Sequence, residues 1–367
     1  MYLQRLRILN YKNIEEADLE FSPKINCFIG NNGEGKTNLL DAVYYLSFCK
    51  SHTNSIDSQN VMHERDFFML DGSYLLNDVT TNIYCGIKKH QKKQFKRDKK
   101  EYEKLSEHIG LLPLVLVSPS DEELILGGSE ERRKFIDGFI AQYDKQYLSH
   151  LLSYKSLLTQ RNSMIRNEIH DDLLYETIEE QMAHYGTYIY EQRTQFIGDF
   201  MAHFQEFHQI VSMEKESVNL VYQSQMQENP SLLDLLKNNR EKDFIVGYTT
   251  KGVHKDDLEM NMEGLPIRKI GSQGQCKTYL IALKLAQFDF LKRLKNVKPI
   301  LLFDDIFDKL DALRVNQIVQ LMKDNRFGQV FISDTNRDHL SSILKNMDCD
   351  YHLYSVENGK IDLKEKK

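Results

Sequence analysis

The eight residues Gly30-Asn31-Asn32-Gly33-Glu34-Gly35-Lys36-Thr37 constrain this chain more than any other stretch, because they fit G-x-x-x-x-G-K-[ST], the phosphate-binding loop. Such a loop needs a strand before it and a helix after it. Ile25-Asn26-Cys27-Phe28-Ile29 reads as a short buried strand. Asn38 to Phe48, with Leu39, Leu40, Val43 and Leu46 on one side, reads as an amphipathic helix. The glycines let the backbone wrap a phosphate with its N–H groups pointing inward, and the helix N-terminus adds its dipole. On this reading the loop from Gly30 to Thr37 holds the phosphates of ATP. Lys36 reaches the β- and γ-phosphates, and the Thr37 hydroxyl binds Mg²⁺.

A chain of 367 residues predicts two or three compact units. Its five cysteines are few, far apart and without a C-x-x-C pair, which excludes a disulfide framework or a cysteine zinc site and suits a reducing, cytoplasmic compartment. The first residues carry no apolar signal core, and no run of about 18 apolar residues is present to span a membrane. A net charge of −6 argues against blanket coating of nucleic acid, so any such contact must come from a local patch.

Leu3 to Ile8 alternates apolar and basic residues, as a half-buried strand would. Asn10-Tyr11-Lys12-Asn13 reads as a turn close in sequence to the nucleotide loop, and Lys12 and Asn13 are candidates to touch ATP. From Asp71 to Val117 the pattern is of antiparallel strands, with Thr80 to Ile87 as one and Lys93 to Tyr102 as a partner. Across them runs Lys88 to Lys100, the densest positive stretch of an acidic chain. Lys92, Lys93, Lys96 and Arg97 on a projecting hairpin would neutralise DNA phosphates, with Phe95 as a stacking face. The same run equally suits a solvated, edge-protecting lysine hairpin; the ATPase features favour DNA.

Leu114 to Val117 is a further buried strand, and Gly127-Gly128-Ser129 marks a boundary. From Ser129, with acids in its first turn, to about Lys242 the chain is helical in character, an arm of several packed helices too short for a long coiled coil. Strand character returns at Ile245. Gly271-Ser272-Gln273-Gly274-Gln275 forms a second glycine loop ahead of a helix, and Pro299 to Asp305 is an apolar strand ending in two carboxylates. Gln329 to Asp334 is one more such strand. Asp304 stands where a carboxylate partner to the phosphate loop holds Mg²⁺, and Asp305 beside it would position or deprotonate the attacking water. Ser272, Gly274 and Gln275 resemble the signature loop of ABC-type ATPases, where a hydroxyl, amides and a helix N-terminus meet the γ-phosphate of the other protomer. Ser272 thereby joins Asp304 and Asp305 among the catalytic candidates. Lys309-Leu310-Asp311 resembles the loop that follows the acids in that class.

These features predict an α/β fold: an ABC-type P-loop ATPase head with an antiparallel β subdomain, split in sequence by an inserted α-helical arm. The boundaries fall at 1–128, 129–243 and 244–367. The whole chain resembles the RecF family of bacterial recombination and repair ATPases, within the ABC-type, SMC-like heads. The residues that carry the resemblance are Leu6 to Asn13, Gly30 to Thr37, Ser118-Pro119, Arg132 to Asp137, Tyr154, Gln160-Arg161-Asn162, His254 to Leu258, Gly271 to Gln275 and Leu302 to Asp305. Against the family pattern, Lys12 and Lys255 replace arginine, and Asp41 replaces glutamate. No glutamine follows Val117, which leaves Asp121 and Glu122 as metal-side candidates. Asp334-Thr335 stands in place of a histidine. The resemblance implies dimerisation around two ATP molecules, DNA binding, slow ATP hydrolysis, action with RecO and RecR to load RecA at gapped DNA, and a part in SOS induction. A small-molecule kinase or GTPase would have no use for the Ser272 loop. The ATPase subunit of a non-DNA assembly, such as a transporter motor, would not carry Gln160-Arg161-Asn162, and a purely structural clamp would not need paired acids.

Overall fold

The computed structural model describes residues 1–213, 216–228, 231–307, 312–323, 326–336, 340, 344 and 349–367. The chain divides into two compact units. The first comprises Met1–Asp121, Ile210–Met213 and Lys277–Lys367, the second Glu122–Gln209 and Glu214–Cys276. Residues 244–276, grouped by the sequence with the C-terminal part of the head, cluster with the helices.

Two six-stranded sheets build the first unit. In one, Lys360–Lys366, Tyr351–Glu357, Ile25–Ile29, Val330–Asp334, Ile300–Asp304 and Leu114–Val117 lie side by side in that order. All neighbours are parallel except the final hairpin. The central strands are mostly apolar and almost wholly buried because both faces are covered. The other sheet is antiparallel, in the order Ile14–Glu20, Tyr2–Tyr11, Phe67–Leu76, Val79–Lys88, Gln94–Arg97, Lys100–Glu101. Its alternation puts Leu3, Leu6 and Ile8 in the core, while Arg5 and Arg7 face Asp18 on the other side. One continuous core joins both sheets to the helix Lys36–Phe48. Tyr11, Tyr45 and Phe68 meet edge to face there, as do Phe21 and Phe331. Gln329, buried at 1% exposure, ties the strands together: its amide donates to the Leu3 and Ser22 carbonyls and its oxygen accepts the Leu3 N–H.

The second unit carries helices Ser129–Ile140, Lys145–Arg166 and the 41-residue Asp172–Ser212, whose last turn belongs to the first unit. The structure departs from the sequence pattern at two places here. Val218–Gln223, expected within a helical arm, is a strand; its buried-exposed alternation is the period of a sheet, and it pairs antiparallel with Asp257–Met262. Ile245, where strand character was expected to resume, lies in the last turn of the helix Arg240–Val246.

The helices are joined by two buried arginines. Arg161, with no exposed surface, donates to Glu179, Asp243 and Thr249, and Asn162 accepts from the Thr249 backbone and hydroxyl. Arg193 donates to Asp137, Asp256 and the Val253 carbonyl. Every charge in these groups is paired, which a buried ion requires. Next to them, the Thr249 carbonyl accepts from His254 Nε2 (3.0 Å), so Nδ1 is the bare nitrogen that accepts the Tyr154 hydroxyl at 2.9 Å. His254 is held neutral, and burial pushes its pKa down to about 4. An unfolded histidine takes up its proton near pH ~6.5. Between those values the unfolded chain binds more protons, so stability rises with pH across the window and is lost as pH falls through it. Melting curves between pH ~7 and ~4 should therefore show a loss of up to about 1.4 kcal/mol per pH unit from this group. His254→Gln should be less stable at neutral pH and show the shallower slope; equal slopes would exclude the assignment.

Candidate nucleotide site

The phosphate loop leaves the strand Ile25–Ile29 and enters the helix at Lys36. Gly35, just before the helix, has φ of 117°, and a Cβ there would stand 2.8 Å from Asn13 Oδ1, so only glycine fits. Lys36 is 3% exposed; its Nζ donates to the Gly30 carbonyl at 2.9 Å and the Asn31 carbonyl at 3.1 Å, and lies 3.7 Å from Asp305 Oδ2. The lysine thus spans the loop from its buried side.

Parallel pairing brings the carboxylates to the loop. Ile300–Asp304 and Val330–Asp334 pair in register with Asp304 opposite Ser333, and Val330–Asp334 pairs in turn with Ile25–Ile29. The three strands end together under the loop. Thr37 Oγ1 donates to Asp304 Oδ1 at 3.1 Å, and Ser333 Oγ donates to the same oxygen at 2.7 Å. Burial raises the pKa of Asp304, and the hydrogen bonds from Ser333 and Thr37 oppose that rise. The Asp305 N–H donates to Ser333 Oγ at 2.9 Å. Asp305 has φ of 45°, a left-handed conformation that turns the chain sharply after the strand. Its Oδ1 is buried without a hydrogen-bond partner among the described residues. An unsatisfied carboxylate oxygen, a second carboxylate and a threonine hydroxyl form a hard-oxygen donor set, which fits a Mg²⁺ ion and its waters.

Asn13 and Lys12 both lie beside this site, in different ways. Asn13 Nδ2 donates to the Gly33 carbonyl (3.3 Å), and Asn13 Oδ1 accepts from Asn38 at 2.8 Å. Lys12 Nζ is bound by the Asp41 carboxylate and, at 3.3 Å, by Ser51. Asp41, buried on the loop helix, also accepts from the Tyr11 hydroxyl, the Ser51 hydroxyl and the His52 N–H. Asp121 accepts the Ser118 N–H and pairs with Lys284 at 2.6 Å. Lys309, Leu310 and Asp311 lie outside the described residues.

Ser272, Gly274 and Gln275 belong to the second unit, at the start of the helix Gln273–Lys295. Ser272 and Gln275 form a reciprocal cap: Ser272 Oγ accepts the Gln275 N–H at 3.2 Å, and Gln275 Oε1 accepts the Ser272 N–H at 2.8 Å. The Ser272 hydroxyl is an acceptor in this cap, which leaves its own hydrogen to donate.

The RecF/RecN/SMC N terminal domain family matches residues 2–362. The DNA replication and repair protein RecF of Phocaeicola vulgatus is 57% identical over 98% of both chains. That of Bacteroides fragilis is 55% identical over the full length of both. This chain belongs to the RecF family. A solved structure of the recombination mediator protein RecF-ATPrS in the RecFOR pathway superposes with a TM-score of 0.88 at 27% identity, covering 99% of this chain and 98% of that one. The fold is therefore the ABC-type head expected from the sequence. The transporter-type alternative finds no support in these matches.

Within this RecF-family chain the basic hairpin is less uniform than its sequence suggests. Phe95 is only 1% exposed and packs on Tyr102 and His108, so the expected stacking face does not exist. It points inward because Cys85↔Phe95 pairing places both on the core side of the sheet. Lys93 is also drawn in: Nζ pairs with Asp57 and donates to the Cys49 carbonyl, each at 2.7 Å, and sits over the Tyr45 ring. Lys92 and Arg97 are exposed, and Lys96 lies over Tyr84 on the outer face. Sequence reasoning missed Ser333 and Gln329. Ser333 had one available signal, its place at the end of a second apolar strand like that of Asp304.

Replacing the two acids separately should distinguish their environments. Asp304→Asn should lose most of the Mg²⁺-dependent part of ATP binding, whereas Asp305→Asn should keep binding and slow turnover by about 10² or more. Titration of nucleotide binding with and without Mg²⁺, beside steady-state turnover, checks both; equal mild effects would reduce the strand end to a solvated cap.

Proposed function

We propose that this chain is a nucleotide-switched ATPase of recombinational DNA repair and replication restart. The observation that carries the reading is the Thr37–Asp304–Ser333 chain of hydrogen bonds, which joins a phosphate loop to a strand-end carboxylate in a RecF-family fold. The names of the relatives and the ATPrS complex of the matched structure support ATP as ligand, DNA as substrate and RecO and RecR as partners.

In this reading the loop amides from Gly30 to Thr37 cradle the phosphates, and Lys36 turns part of its charge from the Gly30 and Asn31 carbonyls to them. Thr37 and Asp304 hold Mg²⁺, which when bound neutralises phosphate charge. Asp305, held by its N–H on Ser333, orients the attacking water and takes its proton. Lys12, anchored on Asp41, and Asn13 border the nucleotide. Ser272, Gly274 and the capped helix start receive the γ-phosphate of a second protomer, and ATP bridges a two-fold dimer. Hydrolysis is slow and stimulated by DNA, and serves to release the dimer. Among the described residues no helix is long and apolar enough to cross a membrane, and we place this activity in the cytoplasm.

DNA binding is assigned to Lys92, Lys96 and Arg97 at the hairpin. Their replacement by alanine should weaken DNA binding without sequence preference and flatten the salt dependence by roughly 0.7–0.9 for each phosphate no longer neutralised. Lys93→Ala should instead lower the melting temperature through Asp57. Binding titrations across a salt series separate the two, and an unchanged slope in the triple variant would return the hairpin to an edge-protecting role.

The dimer is tested through Ser272→Arg, which should leave ATP binding by the monomer intact while abolishing ATP-dependent dimerisation and turnover. Light scattering with ATP and Mg²⁺, beside turnover rate against protein concentration, gives the answer. A wild-type rate strictly proportional to concentration, with no change of mass, would exclude it.

A further inference from the structure

The last hairpin of the nucleotide unit has no part in the chemistry above. Strands Tyr351–Glu357 and Lys360–Lys366 are joined by the two-residue turn Asn358-Gly359, with φ of 50° and 77°. Asn-Gly is the pair that adopts such a turn most readily. Tyr351–Glu357 lies parallel beside Ile25–Ile29, with Ser355 opposite Ile29, so the turn emerges at the same end of the sheet as the phosphate loop.

Two donors of this turn converge on one loop residue. The Asn358 N–H donates to the Glu34 carboxylate, and the Gly359 N–H donates to the Glu34 carbonyl at 2.8 Å. Gly359 also closes on the turn that holds Asn13: it is buried, and a Cβ there would stand 2.1 Å from the Asn13 carbonyl oxygen. Asn13 in turn bonds Gly33 and Asn38. The segment Gly33-Glu34-Gly35, directly ahead of Lys36, is thereby gripped from two sides. The grip also accounts for an acidic side chain in an anion cradle. The Asn358 N–H holds the Glu34 carboxylate on the hairpin, which weakens without cancelling its repulsion of phosphate. A glycine-rich loop would otherwise have to be ordered by its ligand, at a cost in affinity.

We propose that the Asn358-Gly359 turn is a latch that preorganises the phosphate loop, with Glu34 as a positioning residue for nucleotide binding. The inference rests on the ATP-binding reading above. Glu34→Ala should raise the dissociation constant for ATP with Mg²⁺ about tenfold. The melting temperature of the ligand-free protein should stay within about 2 °C of wild type. Glu34→Gln, which keeps an acceptor, should recover most of the affinity. Gly359→Ala, which puts a methyl group into the Asn13 carbonyl, should weaken ATP as Glu34→Ala does. Asn358→Gly, which keeps both the N–H and the positive φ, should bind as wild type does.

The measurement is titration of a fluorescent ATP analogue and of ATP itself, paired with melting curves and with Lys36→Ala as reference. Wild-type affinity in Glu34→Ala, or an equal loss in Glu34→Ala and Glu34→Gln that follows their melting temperatures, overturns the latch. If Gly359→Ala does not fold, the Glu34 pair decides alone. Failure of wild type to bind ATP, or equal binding by Lys36→Ala, would instead overturn the nucleotide reading itself.

Discussion

A single hydrogen bond, from the Thr37 hydroxyl to the Asp304 carboxylate, spans 267 positions of sequence and fixes what the rest of the first unit must be. It forms only if Ile25–Ile29, Val330–Asp334 and Ile300–Asp304 lie parallel and in register. Parallel neighbours require crossovers, and these strands are buried and mostly apolar on both faces because each face must be covered. A slip of one residue would turn Asp304 away from the loop and send its neighbours' side chains to the opposite face. The apolar register that stabilises the sheet is therefore the register that sets the carboxylate.

Burial of that carboxylate has two consequences. It raises the pKa of Asp304, and it leaves few groups to hold the charge. Ser333 meets both needs, donating to Asp304 and accepting from the Asp305 N–H, so one hydroxyl sets the spacing of two acids. The second unit solves a similar problem on a larger scale: Arg161 and Arg193 are buried with every charge paired, and the acids that pair them come from separate helices and turns. Such networks are costly to break rather than strongly stabilising to make, so they act mainly to hold the helices in one arrangement.

The phosphate loop itself is an arrangement of supports as much as a motif. Asn13 stands against Gly35 and Gly33, Lys36 ties the loop's first carbonyls, and the Asn358-Gly359 turn holds Glu34. Preorganisation of this kind shifts the entropic cost of ordering a glycine loop from ligand binding to folding.

The sequence by itself determined the phosphate loop, the split head, the strand-end acids and the family. Each rests on local chemistry: glycines and a lysine at fixed spacing, apolar runs of strand length, acids at a strand end. It also identified Arg161, Tyr154 and His254 as family marks without giving their reason, which is burial within one network. Tertiary structure alone decided which polar groups are already engaged. Lys93 and Phe95 look available in a basic run, but Asp57 and the Cys49 carbonyl draw Lys93 in, and strand pairing turns Phe95 inward, because a two-residue period sends alternate side chains to opposite faces. Val218–Gln223 reads as helix by its surroundings and is a strand because Asp257–Met262 pairs with it. Gln329 and the Asn358-Gly359 turn carry no local mark of their roles, and Ser333 carries only its place at a strand end, since each acts on a partner hundreds of residues away or on another strand, and only the folded register brings them there.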